Sequence, residues 1–231
     1  MNLLCLETAT AAGSVALVRD GHVVSELVAT TNREHTETLL PTAQVILREA
    51  ECTIGELDAI VVDVGPGLFT GLRVGVATAR SLAASAGIGL ISVTSLEVLA
   101  HDPALVDANE VWCVIDGRRG EVFVQQFVGA GRAPSFDPEI LRPELFAERM
   151  AAQDLSGVAF AGDGVSRYRE LFDHLDQQRS PLITIPSPGV AGVLAEQRRS
   201  AGVDPTLVVP LYLRDPDAVA NFSVAPKGSH P

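Results

Sequence analysis

Apolar positions along this chain follow two periods. Short runs at Leu3–Leu6, Ser14–Val18, Ala59–Val64, Gly89–Val93, Val111–Ile115, Glu121–Val128 and Val158–Ala161 read as strands. Asp20-Gly21 is a strong hairpin signal between the second run and His22–Val28. Leu39, Leu40, Ala43, Ile46, Leu47 and Ala50 recur at helical spacing, with Pro41 in conflict. That helix either starts near Thr38 or is kinked at Pro41. Further helices are predicted over Leu72–Ala86, over Pro143–Met150 and after Gly162-Asp-Gly164. Thr94-Ser-Leu-Glu97 is a capping box opening a helix that ends near His101, and Thr53-Ile-Gly-Glu56 is another over a short turn. Ser187 reads as an N-cap with Pro188 at the first helical position, and that helix reaches about Ser200. Glycine-rich Gly65–Gly71 is a turn, and residues 129–142 read as a loop.

The order is therefore three hairpin-linked strands, then alternating helix and strand, and a similar grammar restarts at Val111. This predicts an α/β chain of mixed sheets covered by helices, in two lobes facing a cleft. The expected division is 1–103 for the first lobe and 104–214 for the second. Residues 215–231, rich in Asp, Pro and Ala, are expected to form a disordered tail.

Charge narrows the function. Lys+Arg is 17 against Asp+Glu 29, a net charge of −12 on 231 residues. So acidic a surface repels phosphate backbones, which argues against autonomous nucleic-acid binding. The one lysine is Lys227, which excludes a P-loop, a Schiff base and a Ser–Lys dyad in the body of the chain. Cys5, Cys52 and Cys113 are widely spaced, unlike a disulfide framework or a thiolate zinc site, and fit a reducing compartment. No apolar run approaches the ~20 residues of a membrane span. The opening MNLLCLE has no basic region ahead of an apolar stretch, so a cytoplasmic protein without membrane association is expected.

Four groups of residues invite chemistry. Gly65-Pro-Gly-Leu-Phe-Thr-Gly71 follows a strand and opens a helix, where backbone N–H groups can hold an anion. Its GxGxxxG spacing, without a later acidic partner, is not a dinucleotide fingerprint, and a purely structural turn stands equally. Gly71, Gly75, Ala79 and Ala83 form a ridge of small residues flanked by Leu72, Val76 and Leu82, with Arg73 and Arg80 as the only charges. Such a ridge packs on the protein's own sheet or admits a partner helix; the expectation is one exposed patch shared with Leu39 and Leu40. His35-Thr-Glu37 lacks a second histidine one turn on, where Leu39 stands, so no metal and no cofactor are expected. Glu7 with Thr8, and Asp116, each follow the first strand of a lobe, and Asp163 sits in a later turn. They read either as turn carboxylates or as a nucleotide site. No covalent nucleophile stands out.

In sequence order these motifs resemble the TsaB family of bacterial tRNA threonylcarbamoyladenosine synthesis, once labelled glycoprotease-like. The matching segments are Leu3-Leu-Cys-Leu-Glu-Thr-Ala-Thr10 with Ser14-Val-Ala-Leu17, His35-Thr-Glu-Thr-Leu-Leu-Pro41, Gly65-Pro-Gly-Leu-Phe-Thr-Gly-Leu-Arg-Val-Gly75, Thr94-Ser-Leu96, Asp116-Gly-Arg-Arg-Gly-Glu-Val-Phe123 and Pro210-Leu-Tyr-Leu-Arg214. The resemblance implies a two-lobed actin-like, ribonuclease-H-like fold. It also implies a non-catalytic partner of a TsaD-like transferase, joined by a TsaE-like ATPase, with tRNA reached only through the complex. Pairing would run through the helices of His35–Glu51 and Leu72–Ala86, and the chain would form a homodimer when alone. The implied partner residues are His35, Glu37, Leu39, Leu40, Leu72, Arg73, Gly75, Val76, Ala79, Arg80 and Ala83. The catalytic relative carries HxExH, of which Leu39 replaces the second histidine. The family has Asp at the position of Glu7 and Ser at that of Leu68, which points to a vestigial nucleotide site at Glu7, Thr8, Asp116 and Asp163. The alternative is an ATP-hydrolysing or phosphoryl-transferring enzyme of the same fold, using Glu7, Asp116 and Asp163.

Overall fold

The computed structural model describes residues 1–29, 35–172, 183–198 and 201–214. Three antiparallel strands come first: β1 (Asn2–Glu7), β2 (Gly13–Arg19) and β3 (His22–Ala29). Asp20 and Gly21 both take left-handed φ, +50° and +75°, as a tight hairpin turn requires. Next follow α1 (His35–Glu49), β4 (Ala59–Asp63), α2 (Phe69–Ala86), β5 (Gly89–Val93) and α3 (Ser95–Ala100). β4 joins β1 in parallel and β5 joins β4, giving the order β3-β2-β1-β4-β5. The second sheet holds β6 (Glu110–Arg118), β7 (Glu121–Val128), β8 (Ala133–Pro134), β9 (Glu139–Leu141) and β10 (Val158–Ala161). Its order is β10-β6-β7-β8, with β9 also on β7. Helices α4 (Pro143–Ala151), α5 (Asp163–Arg167), α6 (Arg169–Phe172) and α7 (Pro188–Gln197) complete the chain. The result is a two-lobed α/β protein with the mixed strand order of the actin-like and ribonuclease-H-like folds.

Strand alternation explains the layers. Leu4, Leu6, Val15 and Leu17 turn to one face, where they pack with Leu39, Ile46, Val76 and Ala79 of α1 and α2. Leu3, Cys5, Ala16 and Val18 turn to the other, against Val98 of α3 and Ala191 and Ala195 of α7. Because both faces are covered there, β1, β2 and β4 are buried and apolar over nearly their whole length, whereas the edge strand β3 is largely exposed. In the second lobe Trp112, Val114, Val122 and Val124 pack against Phe146, Met150 and Phe172. The opposite face takes Leu96 and Leu99 from α3, so that one short helix is buried between both lobes.

Several local expectations hold. In the Thr94 capping box Glu97 N donates to Thr94 Oγ1 (3.2 Å) and Thr94 N to Glu97 Oε2 (3.1 Å). At the other box Thr53 N and Thr53 Oγ1 both donate to Glu56 Oε2 (2.7 Å), while Glu56 N donates to Thr53 O, and Ser187 Oγ accepts from Val190 N at 3.1 Å. Other boundaries move. α1 begins at His35 and runs through Pro41. The proline removes one main-chain donor, while Thr42 Oγ1 donates to Thr38 O nearby (2.8 Å). α2 starts three residues before Leu72, at Phe69, because its N-cap is Leu68, which offers no capping side chain to read. α7 ends at Gln197. The loop expected at 129–142 contains β8 and β9, which satisfy the outer edge of β7.

Contacts cross the expected boundary at 103/104. α7 packs back on β1, β2 and β3 of the first sheet. Val203 bridges to Leu90, and Val208 is buried in the first lobe's core. The tail at 215–231 lies outside the described residues.

Candidate functional site

The glycine loop is pressed onto the turn after β1. A side-chain Cβ at Gly67 would run into Ala9 O, and one at Gly75 into Thr8 Oγ1. Thr8 Oγ1 itself donates to Gly71 O (2.8 Å), and Leu68 N to Ala9 O (2.7 Å). Gly65 N donates to Asp63 Oδ1 (2.7 Å). The glycines thus permit close backbone approach, and the N–H groups of Gly65 and Leu68 are committed inside the protein rather than offered to an anion.

The small-residue ridge faces inward, which overturns the expectation of an exposed patch there. Gly75 is buried and Ala79 and Ala83 are fully so, packed with α1 against the sheet. Leu39, Leu72 and Val76 are buried beside them. The reason is steric: two helices and five strands meet on this face, and only small side chains let α2 lie close to Thr8 and β4. The outward face of the same pair is different. It exposes Glu37, Leu40, Pro41, Gln44 and Arg48 on α1, and Phe69, Arg73, Ala77, Ser81 and Ala84 on α2. Arg80 is half-buried. His35 opens α1, and its side chain lies outside the described set.

The four residues of the anticipated nucleotide site fall into two separate groups. Asp116 and Asp163 meet: Asp163 Oδ1 accepts from Asp116 N at 2.9 Å. Asp116 is already engaged by Arg118 N (2.9 Å), the Arg118 guanidinium (2.9 Å), Arg167 (3.7 Å) and Tyr168 Oη (3.5 Å). Burial raises the Asp163 carboxyl above its usual range. Glu7 belongs to the other lobe and folds into its own turn, where Oε1 accepts from Ala9 N (2.6 Å) and Thr10 N (3.2 Å). Its electrostatic neighbour is Asp63, a residue the sequence reading passed over. The available signal was a carboxylate closing the run Ala59-Ile-Val-Val-Asp63, for a charge in so apolar a strand is rarely buried without a purpose.

Between the lobes lies a cleft of about 420 Å³. Gly67, Leu72 and Arg73 line it from the first lobe, Arg118, Arg119 and Phe123 from the second, and Tyr212 and Arg214 from the C-terminal segment. Arg73 stacks on Phe69 (3.8 Å to the ring centroid) and its Nε donates to Tyr212 Oη (3.1 Å). Arg214 pairs with Glu121. This aromatic and guanidinium lining was also missed, because it joins positions more than a hundred residues apart. The three cysteines are free and buried, and burial pushes the Cys5 and Cys113 thiols up, away from reactivity. Among the described residues no three His, Cys, Asp or Glu side chains are grouped to hold a metal, and no helix is long and apolar enough to cross a membrane.

Known proteins resemble this geometry and its sequence. The family model of TsaD, tRNA N6-adenosine threonylcarbamoyltransferase, matches residues 22–222. The tRNA threonylcarbamoyladenosine biosynthesis protein TsaB of Escherichia coli is 36% identical over 161 residues, covering 68% of each chain. An uncharacterised Mycobacterium tuberculosis protein is 33% identical over 219 residues, covering 94% of this chain and 93% of its own. The solved structure of YeaZ from Pseudomonas aeruginosa matches with a TM-score of 0.76 at 28% identity, covering 92% of this chain and 99% of that one.

Proposed function

The chain belongs to the threonylcarbamoyltransferase family, among its TsaB-like members, and from that premise we propose that it is a non-catalytic subunit in the threonylcarbamoyl modification of adenosine in tRNA. It pairs with a TsaD-like transferase, is joined by a TsaE-like ATPase, and reaches tRNA only through that complex in the cytoplasm. One observation carries the non-catalytic reading. Leu39, at the position of the catalytic relative's second metal-binding histidine, is 2% exposed and part of the core under α1. A metal ligand there would need a polar side chain where the structure has packed an apolar one. Glu7 is buried with both oxygens taken up by Ala9 N, Thr10 N and Ser14 Oγ, and none of Glu7, Asp116 and Asp163 lines the cleft, which weighs against the rival ATP-hydrolysing reading.

The pairing surface in this reading is the outward face of α1 and α2: Leu40, Phe69 and Ala77, flanked by Glu37 and Arg73. Leu40 and Phe69 are 44% and 41% exposed, the kind of apolar surface an interface covers. In the absence of the transferase the same face serves a homodimer. Leu40→Asp and Ala77→Arg should each weaken binding to the co-expressed transferase at least about tenfold by calorimetry, on the scale of a central interface residue. Both positions are exposed, so the far-UV circular dichroism spectrum should hold even where the homodimer is lost. Native affinity in both variants would sink this surface.

A further inference from the structure

The ends of β1 and β4 are neighbours. Leu6 pairs with Val62 in the parallel ladder, so Glu7 and Asp63 follow side by side on adjacent strands. They are 1% and 0% exposed. Two carboxylates so placed cannot both carry charge cheaply. Their hydrogen bonds tell them apart. Both Glu7 oxygens are supplied with donors, Oε1 by Ala9 N and Thr10 N and Oε2 by Ser14 Oγ at 3.1 Å. Asp63 is lopsided. Its Oδ1 accepts from Gly65 N (2.7 Å) and Ser95 Oγ (2.8 Å), whereas Oδ2 is buried without a partner among the described residues. A bare carboxylate oxygen inside a protein costs more than the hydroxyl of a neutral acid.

We infer that Asp63 takes up a proton on Oδ2 in the folded protein as the pH falls below neutral, and that as the neutral acid it positions the Gly65–Gly71 loop. The positioning is a closed ring. Asp63 Oδ1 takes Gly65 N, Gly65 O takes Ser95 N (3.0 Å), and Ser95 Oγ returns to Asp63. The ring ties the end of β4 to the glycine loop and to α3. Of the groups packed around Asp63, Gly65 N of the glycine loop and Ser95 Oγ of α3 oppose the proton. β1 brings Glu7, and β2 brings Ser14, spent on Glu7. β5 brings Val93. α3 brings Ser95 and Glu97, whose carboxylate is taken up by Arg198 (3.0 Å) and Thr94. α2 meets this corner through Gly71 and Gly75, at Thr8. Burial raises Asp63 to about 7, opposed by Gly65 N and Ser95 Oγ and assisted by Glu97. Burial, then the Asp63 charge, also raises Glu7.

The test is a carboxyl-carbon NMR titration of the ¹³C-labelled full chain from pH 5 to 9. One aspartate carboxyl should titrate with a midpoint near 7, and the Gly65 and Ser95 amides should shift with it. Asp63→Asn should abolish the transition. Ser95→Ala removes a bond to the ionised form and should move the midpoint up; Glu97→Gln removes a neighbouring negative charge and should move it down. An Asp63 carboxyl that titrates in the ordinary range near 4, or a transition that survives in Asp63→Asn, overturns the inference. Should Asp63→Asn fail to fold, the wild-type midpoint and the opposite shifts of the other two variants still decide it.

Discussion

Asp63 links a single proton to the stability of the whole chain. Its carboxyl titrates near 4 in an unfolded chain and near 7 in the folded one. Between those values the folded state binds more protons, so stability present below about pH 4 is lost as pH rises through about 7. Relative to Asp63→Asn, the wild type should lose on the order of a few kcal/mol between pH 4 and 8. Parallel melting temperatures across that range would contradict the assignment. Gly75 makes a steric point at the same scale. Its Cβ space is filled by Thr8 Oγ1, which holds Gly71 O. Gly75→Leu should therefore cost several kcal/mol or unfold the chain, while Ala77→Leu, two residues on and exposed, should stay within about 0.5 kcal/mol. Circular dichroism melts of the pair read the orientation of α2 directly. The sequence presented Gly75, Ala79 and Ala83 as a ridge but not which way it faced, because small residues serve a partner helix and a crowded core by the same geometry.

At the level of elements, caps were readable and orientations were not. Thr94, Thr53 and Ser187 act over three residues, and a bond that local is written in the local sequence. Ser187 does double duty: its Oγ caps α7 at Val190 N and donates to Glu26 on β3 (3.0 Å). Ser187→Ala should destabilise by about 1 kcal/mol in chemical denaturation. Ser187→Asp keeps the cap but sets a second carboxylate beside Glu26, whose pKa burial already raises, and should recover less than all of it. The start of α2 at Phe69 was not legible, since Leu68 caps nothing and the helix is fixed instead by its packing on the turn after β1. β9 was missed for a related reason. Three residues carry too little pattern, and their pairing is dictated by the open edge of β7.

Across the whole molecule the C-terminal segment is a strap. Gly89 and Gly202 lie in backbone contact, Val203 bridges Leu90, Leu211 N donates to Val64 O (2.7 Å), Leu213 packs with the second lobe's core, and Arg214 meets Glu121. A chain ending at Asp204 should melt about 10–20 °C below one ending at Arg214, since it withdraws Val208, Leu211 and Leu213 from two cores at about 2 kcal/mol each. A difference of only a few degrees would show that the lobes hold without it. The sequence by itself determined the α/β class, most strands and helices, the two hairpins, the caps and the family, because each depends on residues close in the chain or on motif wording. Tertiary structure alone decided four things: that the ridge faces inward, that Glu7 pairs with Asp63 rather than Asp116, that α7 and the strap return to the first lobe, and that aromatic and arginine side chains from three segments share a cleft. The physical reason is range. A residue's type records what it can contact, and the path of the backbone through space settles which of its candidates it meets.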